Sequence, residues 1–183
     1  MRHTRPSVAI RFALAAAMGL GAAAAVAVAA SMRNAGDAPT PEAALDAFHA
    51  AASRADGEAY FDLLAEDAIF LGTDPGERWT REAFRGYAEP HFRQGRGWTY
   101  VPRDRHVHVS ADGTLAWFDE ALDNASYGVC RGTGVLRRDD GRWRIVQYSL
   151  SIPIPNDLAR EVVDRIRGAG GDGGGDGGGD GDG

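Results

Sequence analysis

Four consecutive segments, near residues 98–110, 115–124, 127–138 and 142–152, alternate apolar and polar side chains with period two, and this run most constrains the fold. Ala111-Asp112-Gly113 and Asp139-Asp140-Gly141 are turn signals between successive segments, so the C-terminal half is expected to be an antiparallel meander. The N-terminal half reads as helices. Thr40 followed by Pro41 is a helix cap with a proline at the first helical position, and Leu45, Phe48 and Ala52 then recur at helical spacing. Tyr60, Leu63 and Leu64 form the apolar face of a short second helix ending near Glu66, and residues 68–71 follow as a short strand. Thr80 caps a third helix with Phe84, Tyr87 and His91 on one face, which Pro90 should end or kink. Pro153 and Pro155 stop the last strand, and Asn156 caps a final helix carrying Leu158, Val162 and Ile166. Helices first and a meander second predict one α+β domain over residues 40–167, a length that supports a single core.

The two ends differ in composition from this domain. Residues 1–11 carry Arg2, Arg5 and Arg11 and no acid, and they lead into 19 uncharged residues, 12–30. A basic start, an apolar run and the small-residue stretch Ala27-Val28-Ala29-Ala30-Ser31 fit a secretory signal; the run is also long enough to serve as an uncleaved membrane anchor. Residues 1–31 are therefore expected to export the chain, leaving the domain secreted, periplasmic or anchored facing outside the cytoplasm, with residues 32–39 as a linker. Residues 168–183 are almost wholly Gly and Asp and should form a disordered tail.

Charge and composition exclude several functions. Within residues 40–167 there are 16 Arg against 21 Asp and Glu, so the domain lacks the basic footprint that nucleic acid requires. All 20 basic residues of the chain are Arg and none is Lys, which excludes Schiff-base chemistry and a lysine base. Cys130 stands alone, so no internal disulfide forms. His106 and His108 share a strand face, but no third ligand stands at a recognisable spacing, and no metal site or other cofactor is expected.

Several local stretches sharpen the picture: Ala116-Trp117-Phe118-Asp119-Glu120, Tyr127-Gly128, Arg131-Gly132-Thr133-Gly134-Val135-Leu136, Gly141-Arg142-Trp143-Arg144-Ile145 and Ser151-Ile152-Pro153-Ile154-Pro155-Asn156. Together with the order of elements, they resemble the SnoaL-like branch of the nuclear-transport-factor-2-like, or ketosteroid-isomerase-like, superfamily. The resemblance spans nearly all of residues 40–167. It implies a cone of N-terminal helices packed on a strongly bent antiparallel sheet, a pocket inside the cone, and a homodimer formed through the outer sheet face. It does not imply one reaction, because the superfamily includes isomerases, dehydratases, epoxide hydrolases and members that only bind.

In catalytic relatives, an inward-facing carboxylate abstracts a proton next to a carbonyl. Strand alternation places Trp117, Asp119 and Ala121 on one face and Phe118, Glu120 and Leu122 on the other, so one of Asp119 and Glu120 points into the cone. Arg131 would bind an anionic ligand or pair with one of these acids, and His91 on the third helix is a candidate base at the mouth. Trp79, Tyr87, Trp98, Tyr100, Phe118 and Tyr148 are expected to wall the pocket, Tyr148 and Gln147 lying on opposite faces of their strand. The leading reading is an exported domain that binds a small apolar or acidic molecule without catalysis. One alternative is a cofactor-independent isomerase or lyase, which requires Asp119 or Glu120 to be buried and not fully paired with arginine. The other is an interaction module of the cell envelope, which requires an apolar patch on the outer sheet face.

Overall fold

The structure, a computed structural model, describes residues 38–171. The chain divides into two units, Met1–Asn34 and Ala35–Gly183, and the described residues lie in the second. The apolar run at residues 12–30 and the tail beyond Gly171 therefore fall outside the described residues. No helix among those residues is long and apolar enough to cross a membrane.

Helices α1 (Pro41–Ser53) and α2 (Gly57–Asp62) precede strand β1 (Leu64–Leu71); β2 (Arg78–Thr80) leads into α3 (Arg81–Phe92). Strands β3 (Val101–Val109), β4 (Leu115–Asn124), β5 (Gly128–Asp139) and β6 (Arg142–Ser151) follow, and α4 (Ala159–Gly171) ends the fold. The caps expected at Thr40 and Thr80 are present: the Thr40 hydroxyl accepts from Ala43 N at 3.2 Å, and the Thr80 hydroxyl accepts from Ala83 N at 3.2 Å. Asp140 and Gly141 both adopt positive φ, 52° and 82°, as the two-residue turn between β5 and β6 demands, with Asp139 opposite Arg142.

The sheet is mixed, in the order β2-β1-β6-β5-β4-β3. The meander from β3 to β6 is antiparallel throughout, whereas β1 joins β6 in parallel. That parallel pairing corrects the reading of residues 63–67. Leu63 and Leu64 do not extend a helical face; α2 stops at Asp62 and the strand begins four residues before Ala68. Leu63 O accepts from Ile145 N at 2.9 Å, and Leu63, Leu64 and Ala65 are buried, so pairing with β6 outweighs local helical spacing.

Pro90 does not end α3. The helix runs on to Phe92, whose ring is buried and lies 4.6 Å from that of Trp98, so packing holds the last turn despite one lost backbone donor. The final helix starts at Ala159, three residues past Asn156, and reaches Gly171. Leu158 and Ile166 on its expected apolar face are exposed, at 46% and 65%.

One aromatic-rich core lies between α1–α3 and the inner sheet face. Leu45, Phe48, Tyr60, Phe61, Phe84 and Phe92 from the helices meet Phe118, Leu122, Leu136, Ile145 and Tyr148 from the strands. Each large side chain buried here contributes about 1.5–3 kcal/mol, and the Phe48–Tyr60 stack at 4.3 Å adds about 1 kcal/mol.

Candidate functional site

Glu120 is the feature an apolar core does not explain. Alternation along β4 puts Ala116, Phe118, Glu120 and Leu122 inward, and Glu120 retains only 1% exposure. An ionised carboxylate there is costly unless its oxygens are paired. His49 Nε2 lies 2.6 Å from Glu120 Oε1, Arg105 Nε donates to Oε2 at 2.7 Å, and the Tyr148 hydroxyl donates to Oε1 at 3.3 Å. Arg105 Nη1 reaches on to Asp46 Oδ1 at 2.7 Å, so the cluster runs from the exposed start of α1 to the middle of the sheet.

Local structure explains how these side chains converge. His49 lies four residues after Leu45 on the inward face of α1. Arg105 would point outward with Arg103 if β3 were regular. Instead Arg103 registers with Ala121 and His106 with Asp119, so Asp104 and Arg105 together oppose Glu120. Asp104 adopts φ 47°, a left-handed conformation that Asp tolerates better than most residues, and this bulge turns Arg105 inward. On the neighbouring strand Gly132 faces Glu120; a Cβ there would come within 2.5 Å of Tyr148 Oη and 2.9 Å of Glu120 Oε1. The lack of a side chain at Gly132 therefore leaves room for two buried side chains.

The charges are mutually sustained. Burial pushes the Glu120 carboxyl up, but the His49 hydrogen bond, the His49 interaction and Arg105 outweigh it and hold the group below the usual glutamate range. Burial pulls the Arg105 guanidinium down, and Glu120 and Asp46 more than restore it. Tyr148 is raised well above the ordinary tyrosine value by burial and then by the Glu120 charge. Nearby, Tyr60 is fully buried and likewise raised by burial; the Trp98 indole works in the opposite direction yet falls short of hydrogen-bond geometry. The Tyr60 hydroxyl thus has no hydrogen-bond partner among the described residues, and Arg105 Nη2 is orphaned in the same way.

Only part of the expected set gathers here. Glu120 and Tyr148 meet in the cluster. Asp119 points to the outer face, 57% exposed, with His106 Nδ1 3.3 Å away. Arg131 is also exposed and registers with Ala121, not with Glu120, which faces Gly132; the arginine beside Glu120 is Arg105. His91 lies against Tyr87 on α3, with ring centres 5.4 Å apart. The aromatics expected as walls contact one another in part through two further rings: Trp79 stacks on Tyr87, Tyr87 on Phe84, Phe84 on Phe70, and Phe70 on Tyr148, which neighbours Phe118. Trp98 joins through Phe84, and Tyr100, half-buried, lies close enough to Tyr60 and Tyr148 to raise their hydroxyl pKa values. Gln147 is exposed, so Tyr148 is the inward member of that pair. Among the described residues no group of three or more His, Cys, Asp or Glu side chains could hold a metal ion.

His49, Arg105 and Asp46 were not singled out by sequence, and Tyr60 only as part of a helical apolar face. The signal for His49 was available, since it shares the apolar face of α1; that for Arg105 was not, because a bulge reverses its face.

Helices followed by a six-stranded mixed sheet that is not closed fit the nuclear-transport-factor-2-like class of α+β proteins. The profile of the SnoaL-like domain matches residues 42–155, and the chain belongs to that family. A comparison with curated proteins finds no match. Among solved structures, similarity extends to an NTF2-like protein of unknown function from Pseudomonas putida, at 15% identity and TM-score 0.52, covering 73% of this chain and 92% of that one. A DUF3225-family protein from Pectobacterium atrosepticum matches at 18% identity and TM-score 0.53, over 62% of this chain and 88% of that one. A protein from Parabacteroides distasonis, provisionally described as a ketosteroid isomerase, matches at 23% identity and TM-score 0.50, over 63% and 89%. At these identities the likeness concerns the fold.

Proposed function

We propose that this domain binds a small, predominantly apolar molecule on the concave side of the sheet. The buried Glu120–His49–Arg105 cluster carries this reading. A core that served stability alone gains little from buried ions, since well-packed apolar residues do as well or better. Here the ions sit within an aromatic interior, beside a tyrosine hydroxyl that lacks a partner. Arg105 is already engaged by both Glu120 and Asp46, which favours a neutral ligand over an acidic one. The carboxylate-base alternative is less favoured, because Asp119 is exposed and both Glu120 oxygens are engaged, Oε2 by Arg105 and Oε1 by His49 and Tyr148. A thermal-shift screen of the purified chain against neutral aromatic compounds and their carboxylate analogues tests the reading; stabilisation by the neutral set is expected. No stabilisation by any compound refutes it.

One observation favours self-association as well. Val101, Val109, Leu115, Trp117 and Val129 are all at least 42% exposed, and Trp117 and Val129 lie on the sheet face opposite Phe118 and Glu120. A homodimer through this face predicts a concentration-dependent melting point that Trp117→Glu abolishes. The basic start and uncharged run of residues 1–30 support export, with a mature N-terminus near Ala30 or Ser31 if the segment is cleaved. N-terminal sequencing of the exported protein distinguishes cleavage from an anchor.

A further inference from the structure

We propose that α4 is a dimerisation arm: its apolar face packs, reciprocally, across the outer sheet face of a second copy of this chain, over Trp117 and Val129. This rests on the self-association reading above and names the element that completes the interface.

The helix is amphipathic. At about 100° per residue, Leu158, Ala159, Val162, Val163, Ile166 and Ala169 fall within one arc of about 140°, and every charged residue from Arg160 to Arg167 lies outside it. Its apolar face stands open: Leu158, Val163 and Ile166 are 46%, 41% and 65% exposed, and from residue 158 to 169 only Ala159 and Val162 are partly buried. A helix of 13 residues that carries Gly168, Gly170 and Gly171 gains too little from its own backbone to persist alone in water, so its apolar face needs a partner.

The same chain offers a surface of matching size and charge. The helix is about 20 Å long, and the stretch of β4 from Trp117 to Asp123, where Asp123 registers with Val101 and Val129, covers about the same distance. A stable interface takes about 800 Å² from each partner, a little over half of it apolar. With about 100 Å² for a large aliphatic side chain and about 200 Å² for tryptophan, Ile154, Leu158, Val163 and Ile166 offer about 200 Å² at their exposures, and Val101, Trp117 and Val129 offer a similar area. Neither surface alone suffices, whereas a reciprocal dimer uses both from each copy. Arg165 and Arg167 border the apolar arc of α4, and Asp119 and Asp123, 57% and 54% exposed, flank Ala121 along β4. An anionic membrane is the poorer match, because the chain carries a net charge of −6 and α4 runs into a segment whose only charged side chains are Asp172, Asp176, Asp180 and Asp182.

The test is analytical ultracentrifugation of the purified chain as wild type, as Ile166→Glu, as Trp117→Arg and as an equal mixture of the two variants. Both positions are exposed, so neither substitution disturbs the core. Each should weaken dimerisation by at least about thirtyfold, the effect of losing a hot-spot side chain. The mixture should associate more tightly than either variant alone, because one arm-to-face contact of the mixed dimer is intact and the other brings opposite charges together. Full dimerisation of Ile166→Glu overturns the arm while self-association through the sheet stands. Full dimerisation of Trp117→Arg overturns the sheet as the seat of α4, and a mixture no tighter than its components overturns the reciprocal arrangement. A wild type that stays monomeric at every concentration overturns the self-association reading and the arm with it.

Discussion

Arg105→Met isolates the charge balance of the interior. The substitution keeps an unbranched stem of similar length but leaves Glu120, 1% exposed, with only His49 and Tyr148 against its oxygens. Removing one member of a buried ion pair costs about 3–5 kcal/mol. Arg105 retains 13% side-chain exposure and His49 can still compensate, so the lower end, about 3 kcal/mol at pH 7, is expected. For a domain of this size that lowers the melting temperature by about 10 °C. The pH dependence is the sharper readout. In the wild type the Glu120 carboxyl is held below its ordinary value, so its contribution to stability is present above pH 4.5 and is lost as pH falls through the lower folded value. Without Arg105, burial, which raises the carboxyl, meets less opposition, and the group takes up a proton at higher pH. The stability gap between the two proteins should therefore narrow by at least about 1 kcal/mol between pH 7 and pH 4. Urea unfolding at both pH values measures it. A loss below about 1 kcal/mol at pH 7, or a gap independent of pH, refutes the account of Glu120 as an ionised group held by Arg105.

Two further substitutions probe the same interior. Gly132→Ala would place a methyl group against Tyr148 Oη and Glu120 Oε1 and should cost about 1–3 kcal/mol in chemical unfolding; a change under about 0.5 kcal/mol would show that the two side chains do not press on this strand. Tyr60→Phe deletes a buried hydroxyl that has no partner, so the unliganded protein should be as stable or more stable, by up to about 1 kcal/mol, in thermal unfolding. A clear loss of stability would mean that the hydroxyl is already bonded.

Much of the fold was legible in the sequence because it depends on local chemistry. The four period-two segments became β3 to β6, the limits of β4 agreeing to the residue, and Thr40 and Thr80 cap α1 and α3 as their residue types predict. Strand alternation also grouped Phe118 with Glu120 on one face of β4, and the structure shows that face to be the inner one. The misreadings share a cause. Leu63 and Leu64 have helical spacing, yet their backbone runs beside β6, and Pro90 stays inside α3 because Phe92 beyond it is buried.

The sequence by itself determined which residue types could do chemistry here: no lysine, a lone cysteine, and one inward carboxylate of the adjacent pair Asp119 and Glu120. Only the tertiary structure decided what surrounds that carboxylate. Arg131, the expected partner, faces outward one position out of register, whereas a bulge at Asp104 turns Arg105 inward, and α1, 71 residues away along the chain, brings His49. Strand register and bulge position are settled by how the whole sheet packs against its helices, and no window of sequence encodes them.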